Sequence, residues 1–443
     1  MQINRTFKFF PLRSALVIGF LLLLPRLPLF AQSLSSPEQP GDRLTLKLAV
    51  IGPGDEIYYW WGHIGLVVDD RESDTSRFFD WGLFSFENDN FFVNFAFGRL
   101  LYSCIVSQAE FNYYYYRLTN RDITLYTLDL PAYKKEAVLN FAENNMLPEN
   151  RDYLYHHFRD NCATRIRDIL DMALDGQLRA AFAQAPGRFT LRQQIRRYTW
   201  YTPFFDWLFN FWMGQDIDRP ITVWDDMFLP SEIALRIKDF HYKDADGNDK
   251  PLVSSIETVY TARSRHEVLE VPRPQWPRVL FASLLFSANI LLVYLLCEKK
   301  KYLRPAFGIF QGLLGLFFGL TGTLLLFLTI FTDHDYTYHN SNILFVNPLF
   351  LLVIPLGLYY GFSKKEKNQQ AASRLLRAFW VYVFLGGLLT MVIKLFPGFY
   401  QQNQVTQALV MPIAFSMIFI FARQDWKLLS LPKQRHIHWP HSA

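Results

Sequence analysis

Five apolar runs, near residues 278–297, 306–331, 343–362, 378–396 and 404–422, occupy the C-terminal part of this chain. Each has about the 20 residues that a helix needs to cross a bilayer. The connections between them set the orientation. Lys299, Lys300, Lys301 and Arg304 follow the first run; Lys364, Lys365, Lys367, Arg374 and Arg377 follow the third; Arg423, Lys427, Lys433 and Arg435 follow the fifth. The alternate loops, TDHDYTYHNSN at 332–342 and PGFYQQN at 397–403, contain no lysine or arginine. Basic loops stay in the cytoplasm, so residues from about 33 to 275 face outward and the C-terminus faces inward.

The N-terminus requires the same topology independently. Arg5, Lys8 and Arg13 precede a short apolar core, SALVIGFLLLL at 14–24, and RLPLFAQ ends with a cleavage site expected after Ala31. That layout predicts a secretory signal over residues 1–32, or an uncleaved anchor with the same consequence. The organisation expected is therefore an exported domain at 33–275 and a five-helix membrane domain with a cytoplasmic tail at 276–443. Overall composition agrees: 51% hydrophobic residues are too many for one soluble domain, and 19% charged residues too many for a membrane bundle alone. The net charge of +5 is largely explained by the cytoplasmic loops and does not indicate a nucleic-acid partner. No glycine-rich phosphate loop, CxxC pair or metal-ligand spacing occurs, and no cofactor is implied.

Within the exported part, RLTLKLAVIG at 43–52, GHIGLVVDD at 62–70, SRFFDWGLFSF at 76–86, DITLYTLDL at 122–130 and DYLYHHF at 152–158 have the β-branched and aromatic content of strands. PAYKKEAVLNFAENNML at 131–147 has the three-and-four apolar spacing of a helix. Strands mixed with helices in this way predict an α+β domain. Then comes HFRDNCATRIRDIL at 157–170. Asn161 is a natural N-cap, Ile166, Leu170 and Leu174 share a helical face, and Gly176 ends the helix. Cys162 thus stands in a first helical turn, where open N–H groups and the positive dipole end favour a thiolate.

A cysteine nucleophile needs a base. His63 opens a strand behind the rigid run YYWWG and is the first candidate; His157 is the reserve. Asp80 on the neighbouring strand is best placed to orient the imidazole, ahead of Asp69 and Asp70. Tyr58, Tyr59 and Asn161 could complete an oxyanion hole. The plain alternatives are a packing cysteine, a disulfide between Cys104 and Cys162, a core histidine, and an aspartate that caps a turn. Two further segments carry alternatives. The aromatic run YTWYTPFFDWLFNFW at 198–212 reads either as an interfacial segment or as a buried helix, and the outer loop 332–342 reads as solvated in preference to contacting headgroups or closing the site.

The order of a histidine on a strand, a polar residue on the next strand and then NC opening a helix resembles the circularly permuted papain-like enzymes, including the lecithin:retinol acyltransferase group. YYWWGHIGLVVDD, FFDWGLFSF and DNCATRIRDIL, followed by DRPITVWDDMFLP at 218–230 and the multi-span tail, more closely resemble the Lnb family of Bacteroidota. The resemblance covers nearly the whole mature chain. It implies a circularly permuted papain-like exported domain, Cys162 as nucleophile and His63 as base, while Asp80 stands where the retinol-acyltransferase relatives have a second histidine. It further implies an apolipoprotein N-acyltransferase of the inner membrane, working on the periplasmic side. The acyl chain would pass from a phospholipid donor to Cys162 and then to the α-amino group of a diacylated lipoprotein. A hydrolase acting on phospholipid or cell wall, and a non-catalytic membrane scaffold, are the competing expectations.

Overall fold

The structure is a computed structural model that describes residues 39–84, 90–297 and 300–429. The expected signal segment and the tail residues His436, His438 and His441 lie outside the described residues. Alternating apolar residues build seven strands of one antiparallel sheet: β1 (Leu44–Ile51), β2 (His63–Asp70), β3 (Thr75–Leu83), β4 (Leu100–Gln108), β5 (Ile123–Leu128), β6 (Asp152–Tyr155) and β7 (Val253–Tyr260). Their spatial order is β6-β4-β3-β2-β1-β5-β7. The expected strand at 152–158 stops at Tyr155, because a backbone bridge between His156 and Asp160 turns the chain toward the next helix.

Side chains alternate between the two faces of a strand, and both faces of this sheet are covered. Leu44, Leu46, Leu48, Ile64, Leu66, Val68, Phe79 and Trp81 point one way. They pack with Val138, Leu139 and Ala142 of α3 (Ala132–Asn145) and with Ile166, Ile169 and Leu170 of α4 (Cys162–Ala173). Ala49, Ile51, Val67 and Phe78 point the other way, onto Tyr113 and Tyr116 of α2 (Ala109–Leu118). A fully buried leucine contributes about 1.5–3 kcal/mol, so a one-residue slip that exposed the first set would be strongly disfavoured. A short helix, α1 (Phe91–Ala96), precedes β4, and α5 (Leu191–Thr199) and α6 (Pro203–Trp212) follow α4 along the chain.

Five helical segments are long and apolar enough to cross a membrane. They are α7 (Trp276–Cys297), α8 (Arg304–Phe331), a segment of two 3₁₀ turns leading into α9 (Val353–Phe362), α10 (Glu366–Ile393) and α11 (Gln404–Leu429). Lipid offers no hydrogen bonds to backbone groups, which is why such runs adopt helices. Small residues let two of them approach closely: a β-carbon at Gly308 of α8 would lie 2.4 Å from the Gly357 carbonyl oxygen of α9.

The membrane helices and the sheet domain share packed surfaces. Trp207 and Phe211 of α6 belong to the same buried cluster as Phe318, Phe350 and Trp380, and the Trp207 ring stacks on Phe317 at 5.8 Å. Within the aromatic run at 198–212, α6 is thus a helix packed against the bundle, with Phe204 left exposed at its start. Arg192, fully buried in α5, donates to Asp218 Oδ1 at 2.8 Å and to the carbonyls of Asn210, Met213 and Gly214. The Gln402 N–H, between α10 and α11, donates to the other Asp218 oxygen at 3.0 Å.

The expectation of a solvated outer loop at 332–342 is corrected here. Thr332, His334, Thr337, Asn340 and Asn342 are buried, and the Asn340 side chain donates to the Phe211 and Trp212 carbonyls. Asn340 and Asn342 satisfy backbone carbonyls of α6 instead of water, a role that polarity alone does not reveal.

Candidate active site

Cys162 begins α4, and the preceding residue is built to hold it there. Asn161 has extended backbone, its Oδ1 accepts the Thr164 N–H at 2.9 Å, and Thr164 Oγ1 accepts the Asn161 N–H at 2.8 Å. The Asn161 amide also donates to the carbonyls of His157 and Phe228. With its side chain committed on both sides, Asn161 does not serve as the oxyanion donor considered from sequence. The N–H groups of Cys162 and Ala163, at the start of the helix, have no intrahelical acceptor. Segment 218–230 braces this helix: Phe228 receives the Asn161 amide, and the Trp224 carbonyl accepts from Arg167 at 3.1 Å.

His63 is the first residue of β2. Trp60 and Trp61 before it pack on Phe205 and Phe209 of α6, so the element seated on the membrane bundle also holds the approach to the histidine. Asp80 lies on β3, and strand alternation that buries Phe79 and Trp81 on one face sends Asp80 to the other, beside Tyr116. The β3–β4 pairing is irregular between Asp80 and Leu83, which places one extra residue on β3. That irregularity lets the Gly82 N–H donate to Asp80 Oδ1 at 2.6 Å.

The same Oδ1 lies 2.9 Å from His63 Nε2. The approach is off the N–H axis, so the contact is an ion pair at hydrogen-bond distance and not a linear hydrogen bond. Burial pulls the His63 pKa down, but the charges of Asp80 and Cys162 outweigh it and push the imidazole up to about 10. Burial pushes Asp80 up, and the His63 charge, the Gly82 N–H and Arg121 outweigh that and hold the carboxyl below its ordinary value. The structure therefore brings Cys162, His63 and Asp80 together, with the thiol meeting the imidazole at the end of the sheet.

The other sequence candidates fall elsewhere. His157 packs edge-on to Tyr155 and Tyr336, and burial, with the charges of His156 and His334, lowers it to about 3. The Tyr59 hydroxyl pairs with Tyr115 at 3.0 Å, and Tyr58 stands half exposed. Asp69 pairs with Lys47 and Asp70 with Arg43, at the far end of β2. Cys104 and Cys162 are both free thiols, and Cys104 is buried with its sulfur 3.5 Å from Met146 Sδ. No disulfide joins them.

Sequence reasoning missed two tyrosines that border the same core cluster as Cys162, and a buried arginine. Tyr102 of β4 and Tyr155 of β6 stack with ring centroids 4.1 Å apart and pack with Cys162 against the main core. Arg121 is fully buried, its guanidinium lies over the rings of Tyr59 and Tyr116, and its two terminal nitrogens have no hydrogen-bond partner among the described residues. Tyr102 was unreadable because β4 itself was not recognised. An arginine between a helix end and the strand motif DITLYTLDL was the only sign of Arg121.

Comparison with known families bears on both halves of the chain. The family model for the Lnb N-terminal periplasmic domain matches residues 38–197, and the model for the Lnb transmembrane domain matches residues 275–425. No curated protein and no solved structure matches the chain.

Proposed function

The chain belongs to the Lnb family in both its periplasmic and its membrane part, and from that premise we propose that it is an apolipoprotein N-acyltransferase. It is a multi-pass membrane protein with a periplasmic domain, and its family points to lipoprotein processing. In our reading the exported domain, residues 33–275, is a circularly permuted papain-like acyltransferase. The five helices within 276–443 keep it at the outer face of the cytoplasmic membrane. The observation that carries the reading is a cysteine at a helix N-terminus beside a histidine–aspartate pair, in a domain seated directly on membrane helices.

The reaction has two steps. Asp80 holds Nε2 of His63, which leaves Nδ1 for the Cys162 thiol proton. The sulfur attacks an ester carbonyl of a membrane phospholipid; the C–S bond forms, the ester C–O bond breaks, and His63 returns the proton to the departing lysophospholipid. The α-amino group of a diacylglyceryl cysteine at a lipoprotein N-terminus then attacks the thioester. A C–N bond forms, the C–S bond breaks, and the amine proton leaves through His63 to regenerate the thiol. Both tetrahedral intermediates place an oxyanion at the open N–H groups of Cys162 and Ala163, where one such donor contributes about 10²–10³ in rate. The scheme balances without a cofactor.

Both substrates remain in the bilayer, which explains why the site domain is packed on membrane helices. The test is mass spectrometry of a synthetic diacyl lipopeptide incubated with phospholipid vesicles and the full chain, beside Cys162→Ala. One added acyl chain on the peptide amine, absent in the variant, is the expected result. Free fatty acid with no peptide acylation would overturn transfer in favour of hydrolysis.

A further inference from the structure

Helix α1, with the sequence FFVNFA, carries no charge and turns Phe92, Val93 and Phe95 outward, 74%, 54% and 52% exposed. Three large apolar side chains on one short helix form a patch that water does not favour. Its position identifies what covers it. The Phe97 carbonyl accepts the Asp333 N–H at 2.8 Å, Arg99 pairs with Asp333 at 2.9 Å, and the Phe97 ring meets Phe327 of α8 at 5.7 Å. These contacts fix α1 at the outer end of a membrane-crossing helix whose own Ile330 and Phe331 are 61% and 63% exposed. The patch continues a lipid-facing surface.

Inward from α1 the aromatic contacts continue to Tyr155, at the core cluster that Cys162 also borders. Phe95 stacks on Phe91 at 6.1 Å and Phe91 on Phe84 at 5.9 Å; Phe84 meets Tyr102 at 5.1 Å, and Tyr102 stacks on Tyr155 at 4.1 Å. Aromatic rings at 4.5–7 Å are ordinarily in contact, and among the described residues each step of the file is ring on ring. Tyr102 and Tyr155 border the same core cluster as Cys162. The Cys162 charge reaches both hydroxyls, adding to burial in raising them.

We propose that α1 lies in the outer leaflet and that the aromatic file from Phe95 to Tyr155 is the path by which a phospholipid acyl chain reaches Cys162. The path deepens the acyl-transfer reading and rests on it for what happens at the sulfur. Phe84, Phe91 and the stacked tyrosines supply the apolar contact; α1 supplies the entrance from lipid.

The test uses the full chain in phosphatidylethanolamine and phosphatidylglycerol nanodiscs containing some phosphatidylethanolamine with a diazirine in its acyl chain. A Cys162→Ala background removes turnover. After photolysis, adducts are expected on residues 91–97 and on β4 as well as on the spanning helices; adducts confined to the spanning helices overturn the path. A second measurement follows thioester formation at Cys162 in the double variant Phe92→Asp, Phe95→Asp. The loss with vesicle phospholipid should exceed the loss with the soluble ester p-nitrophenyl butyrate by about tenfold, the scale of one apolar contact. Equal losses with both donors overturn the path. If neither donor acylates Cys162 in the unsubstituted chain, the catalytic reading fails while the photolabelling still decides whether lipid occupies the file.

Discussion

A β-carbon on Gly82 would lie 2.5 Å from Cε1 of His63 and 3.1 Å from Nδ1. No real carbon sits so close, so the imidazole occupies space that only glycine leaves open. Gly82→Ala should push the ring away from both Asp80 and Cys162. Displacement by about 1 Å costs on the order of 100-fold in rate. Acylation of Cys162, followed by intact-protein mass spectrometry, should fall by about that factor while the thermal transition stays within a few degrees. Undiminished acylation would show that the ring does not depend on the space Gly82 leaves.

The His63–Asp80 pair gives stability a defined pH dependence. His63 is raised from 6.5 to about 10, so its stabilisation is complete below the unfolded value and is lost as pH rises through the folded value. Asp80 is held below 3.8, so its contribution is present above that value and is lost as pH falls through the folded one. The stability advantage of the native chain over Asp80→Asn should therefore be greatest at about pH 5–6 and shrink toward about pH 10. Thermal unfolding of both proteins across that range measures it, and a pH-independent difference would contradict the assignment.

The two thiols should differ sharply in reactivity. Burial, with the charge of Asp80, pushes Cys104 up to about 12, leaving about 10⁻⁴ of it as thiolate at pH 8. Cys162 is half-buried at a helix start. Brief iodoacetamide treatment of the native protein at pH 8, read by peptide mass spectrometry, should modify the Cys162 peptide and spare Cys104. Equal labelling would show that the sheet does not protect Cys104.

Arg192→Met should destabilise the protein by about 3–5 kcal/mol, the cost of leaving a buried partner charge uncompensated. Asp218 loses its cation, and three carbonyls at the end of α6 lose their donor. Arg192→Lys should recover little, because one ammonium cannot serve acceptors arranged around a planar fork. Thermal unfolding in detergent separates these outcomes, and a shift under about 1 kcal/mol for Arg192→Met would show the network to be dispensable.

Much of the site was legible because its signals are local. Asn161 before Cys162 announces a cap, the apolar spacing after it announces a helix, and His63 begins a continuous apolar run with the composition of a strand. Strand β4 is hard to read from sequence: LLYSCIVSQ pairs with β3 before it and with β6 far along the chain, and only the assembled sheet shows which of its residues turn inward. Gly82 is likewise silent in sequence, since its role is the absence of an atom near a ring nineteen positions away. The outer loop 332–342 misled for a related reason. Asn340 and His334 look solvated, yet their partners are backbone groups of Phe211 and Trp212 and the hydroxyl of Thr332.

The packing of α6 also orders events during biogenesis. The exported domain crosses the membrane before α8 and the Gln402 connection are made, so Trp207 first has no Phe317 to stack on and Asp218 no Gln402 to bind. Trp60 and Trp61 rest on α6, and through them so does His63. A chain halted after its first 275 residues would hold the approach to His63 on a helix that lacks its membrane partners. The packing behind the approach to His63 is thus complete only once the later helices are inserted.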